Sequence, residues 1–113
     1  MKDALGNMAH DLERVAEAVC HAFDLRRAVL FSQIDDEVDE NGIQARAAFV
    51  LIAFGYGATK GEIRQYAKLK SDLVVMRWYT LAMRRWRIAS FRLLVFGLTR
   101  QLGIAREEVC DAV

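Results

Sequence analysis

One apolar segment near the middle of the chain limits the possible folds most. Residues 43–56 read IQARAAFVLIAFGY, so that a helix formed here would be apolar over most of its surface. Such a helix is stable only when neighbouring elements cover it on several sides. No apolar stretch in the chain approaches the roughly 20 residues that a membrane span requires. We therefore expect a buried central helix surrounded by other helices.

The remaining sequence supplies amphipathic helices that can cover this segment. Apolar side chains recur at steps of three and four residues, proline is absent, and the seven glycines lie mostly at the ends of apolar segments. This pattern favours helices over strands. Asp24 and Ser90 are candidate N-terminal caps for the second and sixth helices. The predicted helices cover residues 4–23, 25–30, 43–56, 60–68, 72–87, 91–102 and about 106–112. With 113 residues, of which 54% are hydrophobic, the sequence predicts one all-α domain over residues 1–113, a compact bundle of six or seven helices.

Residue types and spacings argue against several functional classes. Cys20 and Cys110 show no CxxC or Cys/His spacing, which favours buried thiols over a disulfide or a metal site. The carboxylates of residues 35–40 do not follow the calcium-loop pattern. His10 and His21 have no nucleophile or orienting group at a matching position, so neither an enzyme nor a cofactor is predicted. The charged N-terminus lacks the apolar core of a signal peptide, and we expect a soluble cytoplasmic protein.

Charge is distributed unevenly, although the net charge is only +1. Residues 1–59 carry five basic and ten acidic side chains, whereas residues 60–100 carry ten basic side chains against only Glu62 and Asp72. A concentrated excess of positive charge is typical of proteins that bind a polyanion, because phosphate contacts supply most of the non-specific affinity for nucleic acid. The alternative is that the arginines only solvate the outer faces of core helices.

The basic part of the chain begins with TKGEIRQYAKLKSDLVVMRW, residues 59–78. Thr59 and Glu62 fit a capping box, in which each side chain accepts a hydrogen bond from the backbone amide of the other residue. A turn of three or four residues then leads to Ser71 or Asp72, either of which can cap a longer helix. A short helix, a tight turn and a longer capped helix are the parts of a helix-turn-helix, although the glycine often found in the turn is missing.

The second helix of this motif is expected to present its first residues to DNA. In recognition helices the N-terminal residues meet base edges and later basic residues meet phosphates. Leu73 and Val74 suit a thymine methyl group, and Arg77 suits guanine or a phosphate. The alternative is that Leu73 belongs to the core. The predicted outward residues are Lys60, Arg64 and Lys68 on the first helix, and Asp72, Leu73, Val74, Arg77, Thr80, Arg84 and Arg85 on the second. The predicted inward stripe of the second helix is Val75, Met76, Tyr79 and Met83.

Three segments, residues 15–25, 45–53 and 59–63, resemble motifs of one known family. VAEAVCHAFDL is similar to an opening pattern VAExxxxxxxDLL, ARAAFVLIA to a central-helix pattern ARxxAMxLA, and TKGEI to a motif start S-x-x-E-I. These patterns belong to the C-terminal DNA-binding domain of the bacterial replication initiator DnaA, which groups with the Trp repressor. The resemblance spans about residues 10–100, and it implies a helix-turn-helix that reads double-stranded DNA in the major groove.

The resemblance also assigns positions, and the chain departs from the family at several of them. The residues at DNA-facing positions are Arg46, Lys60, Lys70, Ser71, Asp72, Leu73 and Val74. The family's signature GGRDHTTV is here KLKSDLVV, so its sequence preference does not transfer. The family's basic loop is here the acidic DDEVDEN, which repels phosphate. Arg64 replaces a glycine of the family, which alters how closely the two motif helices approach. No Gly-rich phosphate loop is present, so an initiator ATPase is not predicted.

The sequence therefore predicts a DNA-binding transcription regulator, without metal or cofactor, that associates with the bacterial nucleoid. The resemblance suggests a stand-alone version, as in phage-like elements or activators of gene transfer agents. Useful affinity for DNA usually requires two half-sites, so we expect a homodimer or a partner such as RNA polymerase or another DNA-binding protein. Residues 78–91 are the predicted contact with the second copy or the partner. The alternative is a protein–protein interaction module that keeps the fold. The predicted DNA-binding residues are Arg46, Lys60, Arg64, Lys68, Lys70, Ser71, Asp72, Leu73, Val74 and Arg77.

Overall fold

Six α-helices and no strand are found in the part of the chain that the structure, a computed structural model, describes. The described residues are 4–32 and 39–104, with side chains from residue 8 onwards. The helices are α1 (Ala4–Phe23), α2 (Arg27–Leu30), α3 (Glu40–Gly55), α4 (Lys60–Ala67), α5 (Asp72–Arg85) and α6 (Ala89–Leu102). The prediction of an all-α bundle is confirmed. The helix predicted near residues 106–112, together with Cys110, lies outside the described residues.

The central helix is α3, as the apolar segment predicted. Residues 45–53 are all buried, and Phe49 and Ile52 have no exposed surface. Helices α1, α2, α5 and α6 all pack against α3. A helix with apolar side chains in every direction leaves water only when it has neighbours in every direction, and the other helices provide them.

The start of α3 lies earlier than the apolar pattern indicated. The helix begins at Glu40 because Asp39 caps it: Asp39 Oδ1 accepts a hydrogen bond from the Gly42 amide at 2.9 Å. Aspartate at an N-cap satisfies one of the free amides of the first turn. The end of the acidic segment thus supplies the N-cap, Asp39, and the first residue, Glu40, of α3.

Two other predicted caps are wrong. Asp24 adopts a left-handed conformation with a φ of 54° after α1, and the N-cap of α2 is Arg26. Ser90 lies inside α6, whose N-cap is Ile88 without a side-chain hydrogen bond. In both cases packing against neighbouring helices determines where the backbone turns. The polar residue therefore lies one or more positions away from the N-cap.

An aromatic cluster of Phe31, Phe49 and Tyr66 fixes the position of α4. The Phe31 ring meets Phe49 and Tyr66 edge to face, at centroid distances of 5.0 and 5.8 Å, and Phe49 stacks on Tyr66 at 6.3 Å. Edge-to-face and offset-stacked arrangements are the favourable geometries of aromatic pairs. The cluster therefore joins the end of α2, the middle of α3 and the inner face of α4.

Candidate nucleic-acid interface

The α4–α5 segment, residues 60–85, carries all the predicted DNA-binding residues except Arg46. The two helices pack against each other and are joined by four residues. Lys68 ends α4 in the left-handed conformation with a φ of 56°, which costs a non-glycine residue about 1 kcal/mol. Leu69 is buried, and its amide donates a hydrogen bond to the Arg64 carbonyl at 3.0 Å. The tight connection thus forms without a glycine because the burial of Leu69 anchors it.

The N-terminus of α4 is closed by the predicted capping box. Thr59 Oγ1 accepts a hydrogen bond from the Glu62 amide at 3.1 Å, and Glu62 Oε1 accepts one from the Thr59 amide at 2.9 Å. These two bonds satisfy donors that the first turn of a helix otherwise leaves free. The prediction that the helix starts at Lys60 is confirmed.

The N-terminus of α5 is built differently. Ser71 occupies the N-cap position, as predicted, but its side chain makes no capping hydrogen bond. Asp72 instead forms an ion pair with Arg64, in which Arg64 Nε donates to Asp72 Oδ1 at 2.8 Å. Both side chains are more than two-fifths exposed, so the pair contributes at most about 1 kcal/mol. The pair balances the negative charge of Asp72, the first residue of α5, but it does not cap the helix.

Helix α5 has clearly separated outer and inner faces. The outer stripe, which is exposed throughout, consists of Leu73, Arg77, Thr80 and Arg84. The inner stripe, which is buried, consists of Val75, Trp78 and Ala82. The outward predictions for Leu73 and Arg77 are therefore confirmed as exposed positions, and Leu73, at 76% exposure, does not belong to the core. The predicted inward residues Met76, Tyr79 and Met83 are only half-buried, because the large Trp78 side chain turns the inner face towards α3.

The other predicted DNA-binding residues differ in their accessibility. The exposed ones are Lys60, Lys68, Lys70 and Asp72, and the half-buried ones are Arg64, Ser71 and Val74. Lys60 also lines a shallow apolar groove of about 420 Å³ together with Phe54, Met76 and Tyr79. Lys68 and Lys70 thus place positive charge in the connection that leads to α5, whereas Lys60 lies beside Met76 and Tyr79 further along α5.

Arg46 is the exception, and the position that the resemblance implied for it is wrong. Its residue exposure is 3%, and its guanidinium lies inside the protein. Nε donates a hydrogen bond to the Leu30 carbonyl at 3.0 Å, and Nη2 donates to the Ser32 carbonyl. The guanidinium carbon also lies 4.9 Å from the centre of the Trp78 ring, which is a cation–π geometry. A buried charge requires such partners, and these partners turn Arg46 away from any ligand at the surface.

Polar side chains join α4 to α1 and α2 on the side away from the outer stripe. The Tyr66 hydroxyl donates a hydrogen bond to the Glu13 carboxylate, and Arg27 forms an ion pair with the same carboxylate. The hydrogen bond from Tyr66 is the main reason that the pKa of Glu13 lies below its ordinary value, and burial raises the pKa of Tyr66. The cluster holds α4 in place against α1 and α2.

Arg85, which was predicted to face outwards, is held by the N-terminus of α3. It forms an ion pair with Glu40, and its side chain is 16% exposed. The hydrogen bond and charge of Arg85 lower the pKa of Glu40. Arg85 therefore braces the C-terminal end of α5 against α3, and the exposed arginines of α5 are Arg77 and Arg84.

The predicted partner segment, residues 78–91, lies only partly at the surface. Trp78 is buried at 2% exposure, and Trp86 is half-buried with its ring edge to face on Phe96 at 5.4 Å. Ile88 is 52% exposed. The beginning of this segment is thus part of the core, and the surface available to a partner is concentrated after Trp86.

Groups able to catalyse reactions or bind metals are sparse in the described residues. No cluster of three or more His, Cys, Asp or Glu side chains in residues 4–32 and 39–104 is arranged to hold a metal ion. Cys20 is a half-buried free thiol, and burial raises its pKa, which disfavours the reactive thiolate. His10 and His21 are exposed on α1. Within the same ranges, no helix has the length and apolar character needed to cross a membrane.

Two contacts that shape this surface were missed by sequence reasoning. The Arg64–Asp72 pair had a usable signal, because opposite charges stand near the end of one predicted helix and at the start of the next. The Arg46–Trp78 contact had none, since 32 residues separate its partners and both residue types are also common on surfaces.

Comparisons with known proteins do not identify a function for this surface. No family model, no curated protein and no solved structure matches the chain. The resemblance to the DnaA DNA-binding domain therefore stays a prediction that rests on the three short motifs.

Proposed function

We propose that the protein binds double-stranded DNA, with α4 and α5 acting as a helix-turn-helix, and that it regulates transcription. The observation that carries the proposal is the outer stripe of α5, which is exposed along the helix and contains Arg77 and Arg84. The major groove of B-DNA is about 12 Å wide and admits one α-helix. Because the inner stripe is buried against the core, α5 is held rigidly enough to present a defined set of side chains.

The first turn of α5 is the part that would meet the bases. Leu73 is 76% exposed, so its large apolar side chain is not needed for packing inside the protein. An exposed leucine at the start of a helix that enters the groove would contact a thymine methyl group. Asp72 lies beside it, and its pairing with Arg64 reduces the repulsion that a carboxylate would otherwise exert on phosphates.

The electrostatics of residues 60–100 support the same proposal. This segment carries ten basic side chains and only two acidic ones. Both acidic side chains are engaged, Glu62 in the capping box and Asp72 with Arg64. The lysines at positions 68 and 70 are exposed beside the start of α5, where they would contact the phosphates that flank the groove.

The biological setting follows from the same chemistry. A single helix-turn-helix contacts a short site, and useful specificity usually comes from two half-sites or from a second protein. We propose a homodimer on DNA or a complex with a partner such as RNA polymerase, on the bacterial nucleoid. A stand-alone regulator of a phage-like element or gene transfer agent is the narrower form of this proposal.

The experiment that tests the proposal measures binding to a mixture of genomic DNA fragments by fluorescence anisotropy at several salt concentrations. The wild type should bind at low salt, with an affinity that falls steeply as salt rises. The double variant Lys70→Ala/Arg77→Ala should bind more weakly, and the slope of log K against log salt should decrease by about 2 if both side chains contact phosphates.

A matched control removes the same charge elsewhere. Arg26 and Arg100 are exposed and lie outside α4 and α5. Arg26→Ala/Arg100→Ala should therefore keep a salt slope close to that of the wild type. Equal loss of binding in both double variants would mean that only net charge matters, and the assignment of the surface to α4 and α5 would be wrong.

A second candidate function is a protein–protein interaction module. It is favoured by three large apolar side chains at the surface, Leu73, Ile88 and Leu93, with exposures of 76%, 52% and 70%. Exposed apolar side chains indicate an interface between proteins when they form one contiguous patch. If neither the wild type nor the variants bind DNA at low salt, this second function replaces the first.

A further inference from the structure

We infer that Arg46 is a positioning residue, which sets the orientation of α5 for DNA from inside the protein without contacting DNA. The inference rests on the proposed function and deepens it. According to this inference, the buried guanidinium of Arg46 determines which face of α5 is exposed. The resemblance placed the same side chain on the DNA, so the two assignments give opposite experimental outcomes.

The Arg46 guanidinium connects three parts of the protein, namely α3, the end of α2 and α5. Arg46 projects from the central helix α3, and its hydrogen bonds reach the carbonyls of Leu30 and Ser32 at the end of α2. Its guanidinium carbon lies over the Trp78 ring on α5, 4.9 Å from the centre of that ring. A guanidinium is suited to this position, because its donors lie in the plane while its face remains free to stack on an aromatic ring.

Trp78 is the residue of α5 through which rotation of the helix is controlled. It lies in the buried stripe, and the outer stripe is on the opposite side of the same helix. A helix turns as a unit, so a shift of the Trp78 ring moves Leu73 and Arg77 relative to the groove. Functional side chains must be held to within about 0.5 Å, which usually requires packing behind them.

Arg77 lies close to the same contact. Ile43, Leu81 and Arg77 line a recess of about 150 Å³ together with Arg46 and Trp78. The recess is thus lined both by the buried Arg46 and by Arg77, which we assign to DNA. A change in the packing of Arg46 against Trp78 therefore also changes the support of the Arg77 side chain.

The experiment compares Arg46→Met, Arg46→Lys and Lys70→Ala with the wild type. Methionine has a similar length but no charge, whereas lysine keeps the charge and lacks the planar group. All the proteins compared, the reference protein included, carry Trp86→Phe, so that Trp78 is the single tryptophan of the chain and its fluorescence reports on its surroundings. Each protein is first measured by urea-induced unfolding, so that DNA affinity is compared between folded samples.

A positioning role predicts a distinct combination of results. Arg46→Met should change the emission of Trp78 and lower DNA affinity by roughly tenfold, which corresponds to about 1.4 kcal/mol, while the salt slope stays at the wild-type value. Arg46→Lys should recover only part of the affinity. Lys70→Ala should show the converse, with unchanged Trp78 emission and a slope that is smaller by about 1.

Two outcomes would overturn the inference. A salt slope reduced by about 1 in Arg46→Met would show that Arg46 contacts a phosphate. Unchanged affinity in a folded Arg46→Met protein would show that the contact with Trp78 is dispensable for binding. If the wild type itself fails to bind DNA, the proposed function fails first, and that result is distinct from both.

A second variant keeps the test decisive if Arg46→Met does not fold. Trp78→Phe leaves an aromatic ring beside the guanidinium but removes part of the contact surface. It should weaken DNA binding at an unchanged salt slope. Full affinity in this variant would overturn the role assigned to the Arg46–Trp78 contact.

Discussion

The beginnings of α4 and α5 are constructed in opposite ways, although both follow a tight turn and both start with a residue that is suited to capping. Thr59 and Glu62 close the start of α4 with two reciprocal hydrogen bonds. Ser71 makes no capping bond, and the first turn of α5 carries the exposed Leu73 and the paired Asp72. The polar side chains at the start of α4 thus cap their own helix, whereas Asp72 at the start of α5 pairs with Arg64 of the neighbouring helix.

This difference indicates that the two helices have different roles. Helix α4 is locked by its cap, by the aromatic cluster around Tyr66 and by the bond between Tyr66 and Glu13. Helix α5 is held through its buried stripe, and its N-cap residue Ser71 makes no side-chain capping bond, although the Val74 amide donates a hydrogen bond to the Ser71 carbonyl. A helix N-terminus that no side chain caps favours anions such as phosphate, because the amides of a first turn carry partial positive charge.

The largest expected difference between the two helices concerns apolar side chains near their starts. Ile63 has no exposed surface, whereas Leu73 is 76% exposed. Ile63→Ala should lower the free energy of unfolding by about 2–5 kcal/mol. Leu73→Ala should change it by less than about 0.5 kcal/mol. Urea-induced unfolding followed by circular dichroism measures both, and a comparable loss in Leu73→Ala would mean that Leu73 is buried in solution.

The next effect concerns the two caps. Thr59→Ala should reduce the free energy of unfolding by about 1 kcal/mol, because it removes the acceptor for the Glu62 amide. Ser71→Ala should cost only about 0.3 kcal/mol, because no side-chain bond is lost. Thermal unfolding of the two single variants is the direct comparison. Equal costs would show that Ser71 caps α5 in solution, and the contrast between the helices would disappear.

A smaller effect is expected from the ion pair that links the helices. A double-mutant cycle with Arg64→Ala and Asp72→Ala should give a coupling energy of about 0.2–1 kcal/mol, since both side chains are partly exposed. The coupling should decrease at high salt, which screens exposed charges. A coupling that is zero at low salt would show that the pair does not persist, and Asp72 would then carry an uncompensated charge at the candidate DNA surface.

The smallest effect is the pH dependence of the anchor behind α4. The hydrogen bond from Tyr66 holds the pKa of Glu13 below its ordinary value, so the native state favours the ionised carboxylate. The stabilisation is therefore complete above the unfolded-state pKa of about 4.3 and is lost as the pH falls through the lower native pKa. Urea midpoints measured between neutral and acidic pH should fall more for the wild type than for Glu13→Gln. Parallel pH profiles would contradict the assignment.

Much of the fold could be predicted because the relevant interactions are local. The ranges of α1 and α4 agree with the predicted ones, and the capping box was recognised from Thr59 and Glu62 alone. The start of α3 was predicted less well, because Asp39 stands in a run of carboxylates any of which has the chemistry of a cap. Asp24 and Ser90 failed as caps for a related reason: a residue type suited to capping does not determine where packing allows the backbone to turn.

The candidate site was predictable in part. The exposure of Leu73 and Arg77 follows from the helical period once the buried side of α5 is approximately known. The rotation of α5 was less certain, since Met76, Tyr79 and Trp78 are all large enough to fill the core. The choice of Trp78 depends on the space that α3 offers, which no local pattern reveals.

The sequence by itself determined the helices, the capping box that Thr59 and Glu62 form at the start of α4, and the concentration of positive charge after residue 59. Only the tertiary structure decided which cations are exposed. Arg46 and Arg77 are the same residue type on neighbouring helices, yet one is buried beneath Trp78 and the other is exposed. The physical reason is that periodicity places a side chain on one face of its helix, whereas burial of that face depends on the helices that pack against it.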